Sequence, residues 1–149
     1  SSLDSIEYEE KFIKFAKDSA DLLRKNNIIV AIESDFGPQK LAKFMTKIPN
    51  DVFGVNYDIG NSASLGFCPK EEINLYGELI YNVHVKDRPY GKTTIELGKG
   101  DADFLTVFSH LKKINYKGNY ILQTARANEG LHLKALLNYK KMVIDWQNA

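Results

Sequence analysis

The sequence predicts an α/β fold in which an N-terminal helix is followed by four strand–helix units. Short apolar runs rich in β-branched residues alternate with segments whose apolar residues recur every three or four positions. Each apolar run ends in polar residues. Strands that alternate with helices pair in parallel through crossover helices, in either a doubly wound sheet or a (βα)8 barrel. The 149 residues, 44% of them hydrophobic, are expected to form a single domain over residues 1–149.

The predicted elements follow one another in a regular order. The first helix covers residues 5–25, where Ile13, Ala16 and Ala20 share one face. The next elements are a strand over 28–32, a helix over 38–47, a strand over 52–57, a short helix over 69–76 and a strand over 80–85. A long loop over 89–100 then leads to a helix over 104–114, a strand over 120–122 and a closing helix over 131–146.

Charge and cysteine content restrict the possible partners and the compartment. Lys and Arg number 20 against 19 Asp and Glu, a net charge of +1, so nothing draws the chain broadly to nucleic acid or to an anionic membrane. The expected ligand is therefore small. One cysteine, Cys68, excludes an internal disulfide framework, and no apolar run reaches the roughly 18 residues that a membrane span requires. These features favour a cytoplasmic protein.

Polar side chains follow all four predicted strands at the carboxyl ends, where parallel α/β folds collect their chemistry. The residues that end the strands are Glu33, Asp58, His84 and Gln123, and the residues just beyond them include Asn61, Lys86, Arg88 and Arg126. Carboxylate, imidazole and amide oxygen form a mostly hard ligand set, which suits Mn, Mg or Co and is usable by Zn. A metal site is the natural hypothesis.

Each of these residues also has a plainer interpretation. Glu33 could cap the next helix or pair with a lysine, and Asp58 could be an ordinary turn residue. A lone histidine such as His84 is more often a hydrogen-bonded structural residue than a ligand. Gln123 could be a satisfied polar residue at a strand end. The joint pattern favours a site, because turn chemistry alone rarely places metal-competent atoms after four consecutive strands.

Four stretches of the sequence resemble successive motifs of the sugar phosphate isomerase/epimerase family. They are Ile-Glu at 32–33, Val-Asn-Tyr-Asp-Ile-Gly-Asn at 55–61, Val-His-Val-Lys-Asp-Arg at 83–88 and Leu-Gly-Lys-Gly at 97–100. That family belongs to the xylose isomerase-like barrels. The resemblance covers nearly the whole chain and implies the C-terminal half of a (βα)8 TIM barrel.

The resemblance also implies roles for individual residues. Glu33, Asp58 and His84 would be ligands of one divalent metal, and Asn61, Lys86 and Arg88 would face the substrate or orient the ligands. Gln123 departs from the family pattern, which has a second glutamate there, so the fourth ligand would be a neutral amide oxygen.

The implied activity is isomerisation or epimerisation of a small sugar or sugar phosphate. Because Gln123 cannot take up a proton, one base, Glu33, would carry the proton between neighbouring carbons. Lys86 would hold a substrate oxygen, or would only pair with Asp58 or Asp87. Arg126 would bind a substrate phosphate or carboxylate through its guanidinium group, or would pair on the surface with Glu129.

Two other functional classes are compatible with an α/β barrel fold. Metal-dependent AP endonucleases share the superfamily barrel, but they use more histidine and carboxylate ligands for several zinc ions and need a basic DNA-binding face; this sequence shows neither. A non-catalytic carbohydrate-binding relative, or an inactive fragment of such an enzyme, stays open because of Gln123.

The number of strands raises a further expectation. A closed barrel needs eight strands and about 250 residues, and this chain supplies four strands. Because the sequence starts at Ser1 without an initiator methionine, we expect either a missing N-terminal half or a homo-oligomer that completes the core. Unpaired strand edges and an inner face of Ile, Val and Tyr side chains would drive that association.

Overall fold

The computed structural model describes residues 5–149, which form four strands and six α-helices. The elements are α1 (Ile6–Lys25), β1 (Val30–Ile32), α2 (Pro38–Met45), β2 (Phe53–Asp58), α3 (Ile59–Leu65), α4 (Pro69–Tyr76), β3 (Ile80–Val85), α5 (Phe104–Lys113), β4 (Asn119–Leu122) and α6 (His132–Asn148); a 3-10 turn, Gly77–Leu79, links α4 to β3. Within this part of the chain no helix is both long and apolar enough to span a membrane.

The four strands form one sheet in the order β1-β2-β3-β4, and every neighbouring pair is parallel. Spatial order therefore equals chain order, as it does when consecutive βα units are added in one direction around a barrel. The predicted α/β class, with four parallel strand–helix units after an N-terminal helix, is confirmed. Asp58 is paired with His84, so the carboxyl ends of β2 and β3 lie side by side.

The apolar core lies between the sheet and the helices. Val55, Tyr57, Val83 and Val85 point into it and are at most 2% exposed. Alternate residues of a strand point to opposite faces, so Asn56, Asn82 and His84 lie on the other face. The prediction of an inner sheet face made of Ile, Val and Tyr side chains is therefore wrong. Those side chains turn toward the helices, and the opposite face of the sheet is largely polar.

Helix α3 is absent from the elements predicted above. The Asp58 side chain caps it by accepting a hydrogen bond from the Asn61 backbone N–H at 2.8 Å, and Gly66 ends it in the left-handed conformation with φ 75°. Glycine and serine within α3 have modest helix propensity, so the helix depends on its cap and its packing rather than on its composition.

Strand β1 is shorter than predicted, because it begins at Val30 rather than at Ile28. Ile28 and Ile29 are about half exposed, at 49% and 51%. Their β-branched side chains fit a strand, but within residues 5–149 β1 has a neighbour on one side only, and its pairing with β2 starts at Val30 and Phe53.

Candidate metal centre

The carboxyl ends of β1, β2 and β3 bring three of the predicted ligands together. Glu33 follows β1, Asp58 ends β2 and His84 lies in β3. One ligand atom from each residue lies within 4.8 Å of the other two. This spacing is small enough for one ion to reach all three side chains.

Glu33 and Asp58 approach the histidine from two sides. His84 Nδ1 lies 3.2 Å from Glu33 Oε2 and 3.7 Å from Asp58 Oδ2. Only 1% of the Asp58 side chain is exposed, whereas 39% of the Glu33 side chain is. Asp58 therefore forms the floor of the cluster, and Glu33 forms its solvent-facing wall. Glu33 does not cap α2, whose N-cap is Gly37.

Two asparagine amides hold the Glu33 carboxylate. Asn61 Nδ2 donates to Oε1 at 2.8 Å, and Asn56 Nδ2 donates to Oε2 at 2.7 Å. Arg88 Nη1 in turn donates to Asn61 Oδ1 at 2.7 Å. Of these residues Asn61 and Arg88 were predicted: Asn61 contacts the glutamate, and Arg88 contacts Asn61. Asn56 was missed, although its position two residues before Asp58 places it on the same face of the strand.

Lys86 connects Asp58 to Gln123. Its ammonium donates to Asp58 Oδ2 and to Gln123 Oε1, each at 3.0 Å. This contact with Asp58 settles the choice between its two possible carboxylate partners. Lys86 also packs tightly on Gly60: a Cβ there would lie 2.7 Å from Lys86 Cγ and 2.9 Å from its backbone carbonyl carbon. Gly60 is therefore required for this approach.

Asp87 anchors the long loop that follows β3. The residue is 1% exposed, and its carboxylate accepts hydrogen bonds from the backbone N–H groups of Gly98, Gly100 and Ala102 at 2.8, 2.9 and 3.2 Å. These three bonds replace the hydration that burial removes from the charge. Because Asp87 stands between Lys86 and Arg88, the anchor also fixes the backbone from which those two cations extend.

A second buried carboxylate, Glu72, supports the elements beside Asp58. It accepts hydrogen bonds from Tyr57 Oη at 2.9 Å, Ser62 Oγ at 2.7 Å and Tyr76 Oη at 2.9 Å. Burial raises the pKa of the Glu72 carboxyl above its usual value, although the three donated bonds oppose that shift. Burial and the nearby negative charge also raise the pKa of both tyrosines.

Two surface clefts lie near the strand ends. The first has a volume of about 410 Å³ and is lined by Glu33, Asp35, Phe36, Asn61 and Arg88, among others. The second, of about 550 Å³, lies between the loop after β3 and α6, and its basic residues are Lys99, Arg126 and Lys134. The structure thus places Arg126 in a different cleft from Asn61 and Arg88. Within residues 5–149 Arg126 makes no ion pair with Glu129.

The donor set fits a divalent cation. Two carboxylates and one imidazole are ligands that Mn, Mg, Co and Zn accept, and the buried Asp58 is already partly neutralised by Lys86. The fold and this cluster together define a class: parallel (βα) proteins of barrel type with a candidate metal centre at the carboxyl ends of the strands.

Residues 2–142 match the family of xylose isomerase-like TIM barrels, and the chain belongs to that family. A putative L-ribulose-5-phosphate 3-epimerase of Haemophilus influenzae is 27% identical over 153 residues, which covers 95% of this chain and 52% of that protein. The chain therefore spans about half the length of this curated relative. This match confirms the resemblance to sugar phosphate isomerases/epimerases of the xylose isomerase-like barrels that the sequence motifs indicated.

Solved structures confirm the fold. A xylose isomerase domain protein from Planctomyces limnophilus matches 99% of this chain and 56% of its own length, with a TM-score of 0.82 and 16% identity. The crystal structure of the IolI protein with a bound zinc atom matches 99% of this chain and 59% of its own, with a TM-score of 0.76 and 18% identity. This chain thus corresponds to about half of each of these structures.

Proposed function

We propose that this chain carries the metal-binding half of a sugar or sugar phosphate isomerase/epimerase. The observation that supports the proposal most is the approach of Glu33, Asp58 and His84 to within 4.8 Å of one another at the carboxyl ends of three parallel strands. The names of the relatives agree with it: one is a putative epimerase of a pentulose phosphate, and the IolI structure holds zinc.

The proposed chemistry is a proton shift between neighbouring carbons of the sugar. Glu33, Asp58 and His84 would hold a divalent ion, which when bound would supply a Lewis acid for the substrate carbonyl. Glu33 would carry the proton: each of its oxygens accepts one amide hydrogen bond and keeps one lone pair, so one oxygen can bind the ion while the other faces the substrate. Lys86 holds a substrate oxygen while its ammonium stays fixed between Asp58 and Gln123.

The substrate is proposed to enter the cleft beside Glu33. Asn61 and Arg88 line that cleft, so their remaining N–H groups face the place where sugar hydroxyls would lie. Arg126 is proposed to bind an anionic group, such as a phosphate, in the neighbouring basic cleft with Lys99 and Lys134. A free sugar would need the cleft beside Glu33 alone, whereas a phosphorylated sugar would also place its phosphate in the basic cleft.

Gln123 is proposed as the fourth ligand through its amide oxygen. That oxygen now accepts from Lys86, so the ion and the ammonium would share it. A neutral ligand leaves the cluster with one negative charge fewer than a glutamate would. The site should therefore bind a divalent ion more weakly than one with two glutamates.

Calorimetric titration of Mn²⁺ into the metal-stripped chain tests the proposal. Binding of about one ion per chain is expected, because the three ligand side chains already converge. The Asp58→Ala, His84→Ala double variant should lose that binding. An Asp145→Ala, His132→Ala variant, which removes the same residue types at exposed positions of α6, is the matched control and should bind normally. Equal Mn²⁺ binding by the wild type and the double variant would contradict the proposal.

A carbohydrate-binding protein without catalysis is the second candidate, and Gln123 favours it because it removes one proton carrier. The two functions differ in one measurement. An isomerase exchanges a carbon-bound proton of its sugar with heavy water, which mass spectrometry detects, whereas a binding protein shows saturable sugar binding without exchange.

A further inference from the structure

We propose that Asn56 is a positioning residue that holds Glu33 and His84 in the geometry of the candidate metal centre, and that Asn82 sets the orientation of Asn56. The inference rests on the function proposed above. Asn56 Nδ2 donates to Glu33 Oε2 at 2.7 Å and lies 3.2 Å from His84 Nδ1. One amide group thus touches two of the three ligand side chains.

The strand register explains how this amide reaches both ligands. Asn56 is paired with Asn82, and two residues further along the same two strands Asp58 is paired with His84. Both pairs point to the inner face, because strand residues two apart share a face. A layer of two amides therefore lies directly beneath the layer of ligands.

Asn82 determines which end of the Asn56 amide faces the ligands. Asn82 Nδ2 donates to Asn56 Oδ1 at 2.7 Å. With its oxygen used in this way, Asn56 presents its NH₂ group to Glu33. The reverse orientation would put Asn56 Oδ1 against a carboxylate oxygen and the two NH₂ groups against each other, so both contacts would become repulsive.

Glu33 needs such support more than the other ligands do. It follows a strand of three residues, and 39% of its side chain is exposed, whereas the Asp58 side chain is almost fully buried. Asn56 is 8% exposed and lies in the middle of β2, so it offers a fixed donor. A glutamate held before the ion arrives loses less rotamer freedom on binding, which strengthens the site.

Mn²⁺ affinity of the Asn56→Leu variant is the first test. Leucine has nearly the same shape as asparagine but donates no hydrogen bond. Supporting groups of this kind change metal affinity by about 10- to 100-fold, so the dissociation constant should rise by that factor while the number of sites stays near one. Asn74→Leu, at an exposed position of α4, is the control and should bind as the wild type does. An unchanged dissociation constant for Asn56→Leu overturns the proposal.

Asn82 supplies an independent variant, because it contacts Asn56 rather than any ligand side chain. Asn82→Ala should weaken Mn²⁺ binding by a smaller factor, and it should add nothing in the Asn56→Leu background, since it acts through Asn56. Fully additive effects of the two substitutions would overturn the proposal. Wild-type affinity in Asn82→Ala would overturn it as well, and this single variant still tests the proposal if Asn56→Leu fails to fold.

A measurement on the metal-free chain separates this proposal from the proposed function. The Asn56 side-chain NH₂ protons should give NMR signals that exchange slowly with solvent and that shift on Glu33→Gln, and Asn82→Ala should accelerate their exchange. If the wild type binds no Mn²⁺ but these responses occur, the proposed function fails and the positioning role stands. If the signals respond to neither substitution, the positioning role is wrong.

Discussion

Gln123 controls the net charge around the candidate metal centre. Lys86 spans Asp58 and Gln123, so its single positive charge pairs with the Asp58 carboxylate on one side and meets a neutral amide oxygen on the other. A glutamate at 123 would restore the missing negative charge without lengthening the side chain. The amide was visible in the sequence, whereas its contact with Lys86 depends on side-chain geometry that no strand pattern contains.

We expect Gln123→Glu to tighten Mn²⁺ binding on the order of tenfold, because one more negative charge lies next to the ion. Calorimetry at low ionic strength measures the change. Gln123→Met is the matched control, since it keeps the length of the side chain but removes the amide oxygen, and it should weaken binding. Identical affinity in Gln123→Glu and wild type would mean that residue 123 does not reach the ion.

Glu72 makes stability depend on pH. A carboxyl whose pKa is raised on folding binds more protons in the native state, so its contribution is fully present below the unfolded pKa of about 4.5. That contribution is lost as pH rises through the raised folded value. Glu72→Gln removes this titration.

Urea unfolding at acidic and neutral pH tests this expectation. The stability of Glu72→Gln relative to wild type should increase from acidic to neutral pH, because the wild type loses the contribution of the protonated carboxyl over that range and the amide does not titrate. The exposed Glu78→Gln variant should show no such trend. A difference between Glu72→Gln and wild type that stays constant with pH would contradict the raised pKa.

At the scale of secondary structure, the loop after β3 depends on one side chain. Asp87 accepts three backbone N–H groups from residues 98–102, and a Cβ at Gly100 would lie 2.2 Å from its Oδ1. The loop is therefore built against this carboxylate. The Leu-Gly-Lys-Gly motif was recognised in the sequence by resemblance, but the residue that holds it was not.

We expect Asp87→Asn to destabilise the chain by about 2–3 kcal/mol, because an amide NH₂ would face backbone donors in a buried place. Hydrogen exchange at Gly98, Gly100 and Ala102 should accelerate more than exchange in β2. Asp101→Asn alters a more exposed loop carboxylate, which accepts the Tyr90 N–H, and should change both quantities less. Unchanged protection of the three amides in Asp87→Asn would disprove the anchor.

The order of strands and helices was predictable because apolar periodicity and parallel pairing are local and topological properties. The four strands and five of the six helices lie within a few residues of their predicted positions. Helix α3 was not predictable in this way, because Asp58 followed by Ile-Gly-Asn is typical of a loop as well as of a capped helix start. Similarly, the polar strand ends indicated Glu33, Asp58 and His84, but the supporting amides required knowledge of the register between β2 and β3.

For the molecule as a whole, the sheet has two edges. Among the described residues β1 and β4 each pair with one neighbour only, and parallel edge strands leave backbone donors and acceptors open to another chain. The chain spans about half of its relatives, so strands from the other half of a longer protein or from a second copy would cover these edges.

We therefore expect the isolated 149-residue chain to self-associate at micromolar concentration. Sedimentation velocity over a dilution series should show species larger than 16.9 kDa that dissociate on dilution, with a fall in thermal stability. Ile121→Lys, at a half-exposed residue of β4, should shift the equilibrium toward monomer, whereas Leu105→Lys, at an exposed residue of α5, serves as the control. A stable monomer at every concentration would refute the expectation.

Trp146, the chain's one tryptophan, stacks on Phe104 with ring centroids 4.2 Å apart and planes 6° from parallel, and it also lies against Phe108. The indole of α6 thus packs against α5. Its fluorescence consequently monitors the docking of α6 rather than the folding of the sheet. If the emission of Trp146 moves to longer wavelength before the circular dichroism signal falls, α6 has detached from α5 while the strands persist. Unfolding would then be observed in two stages.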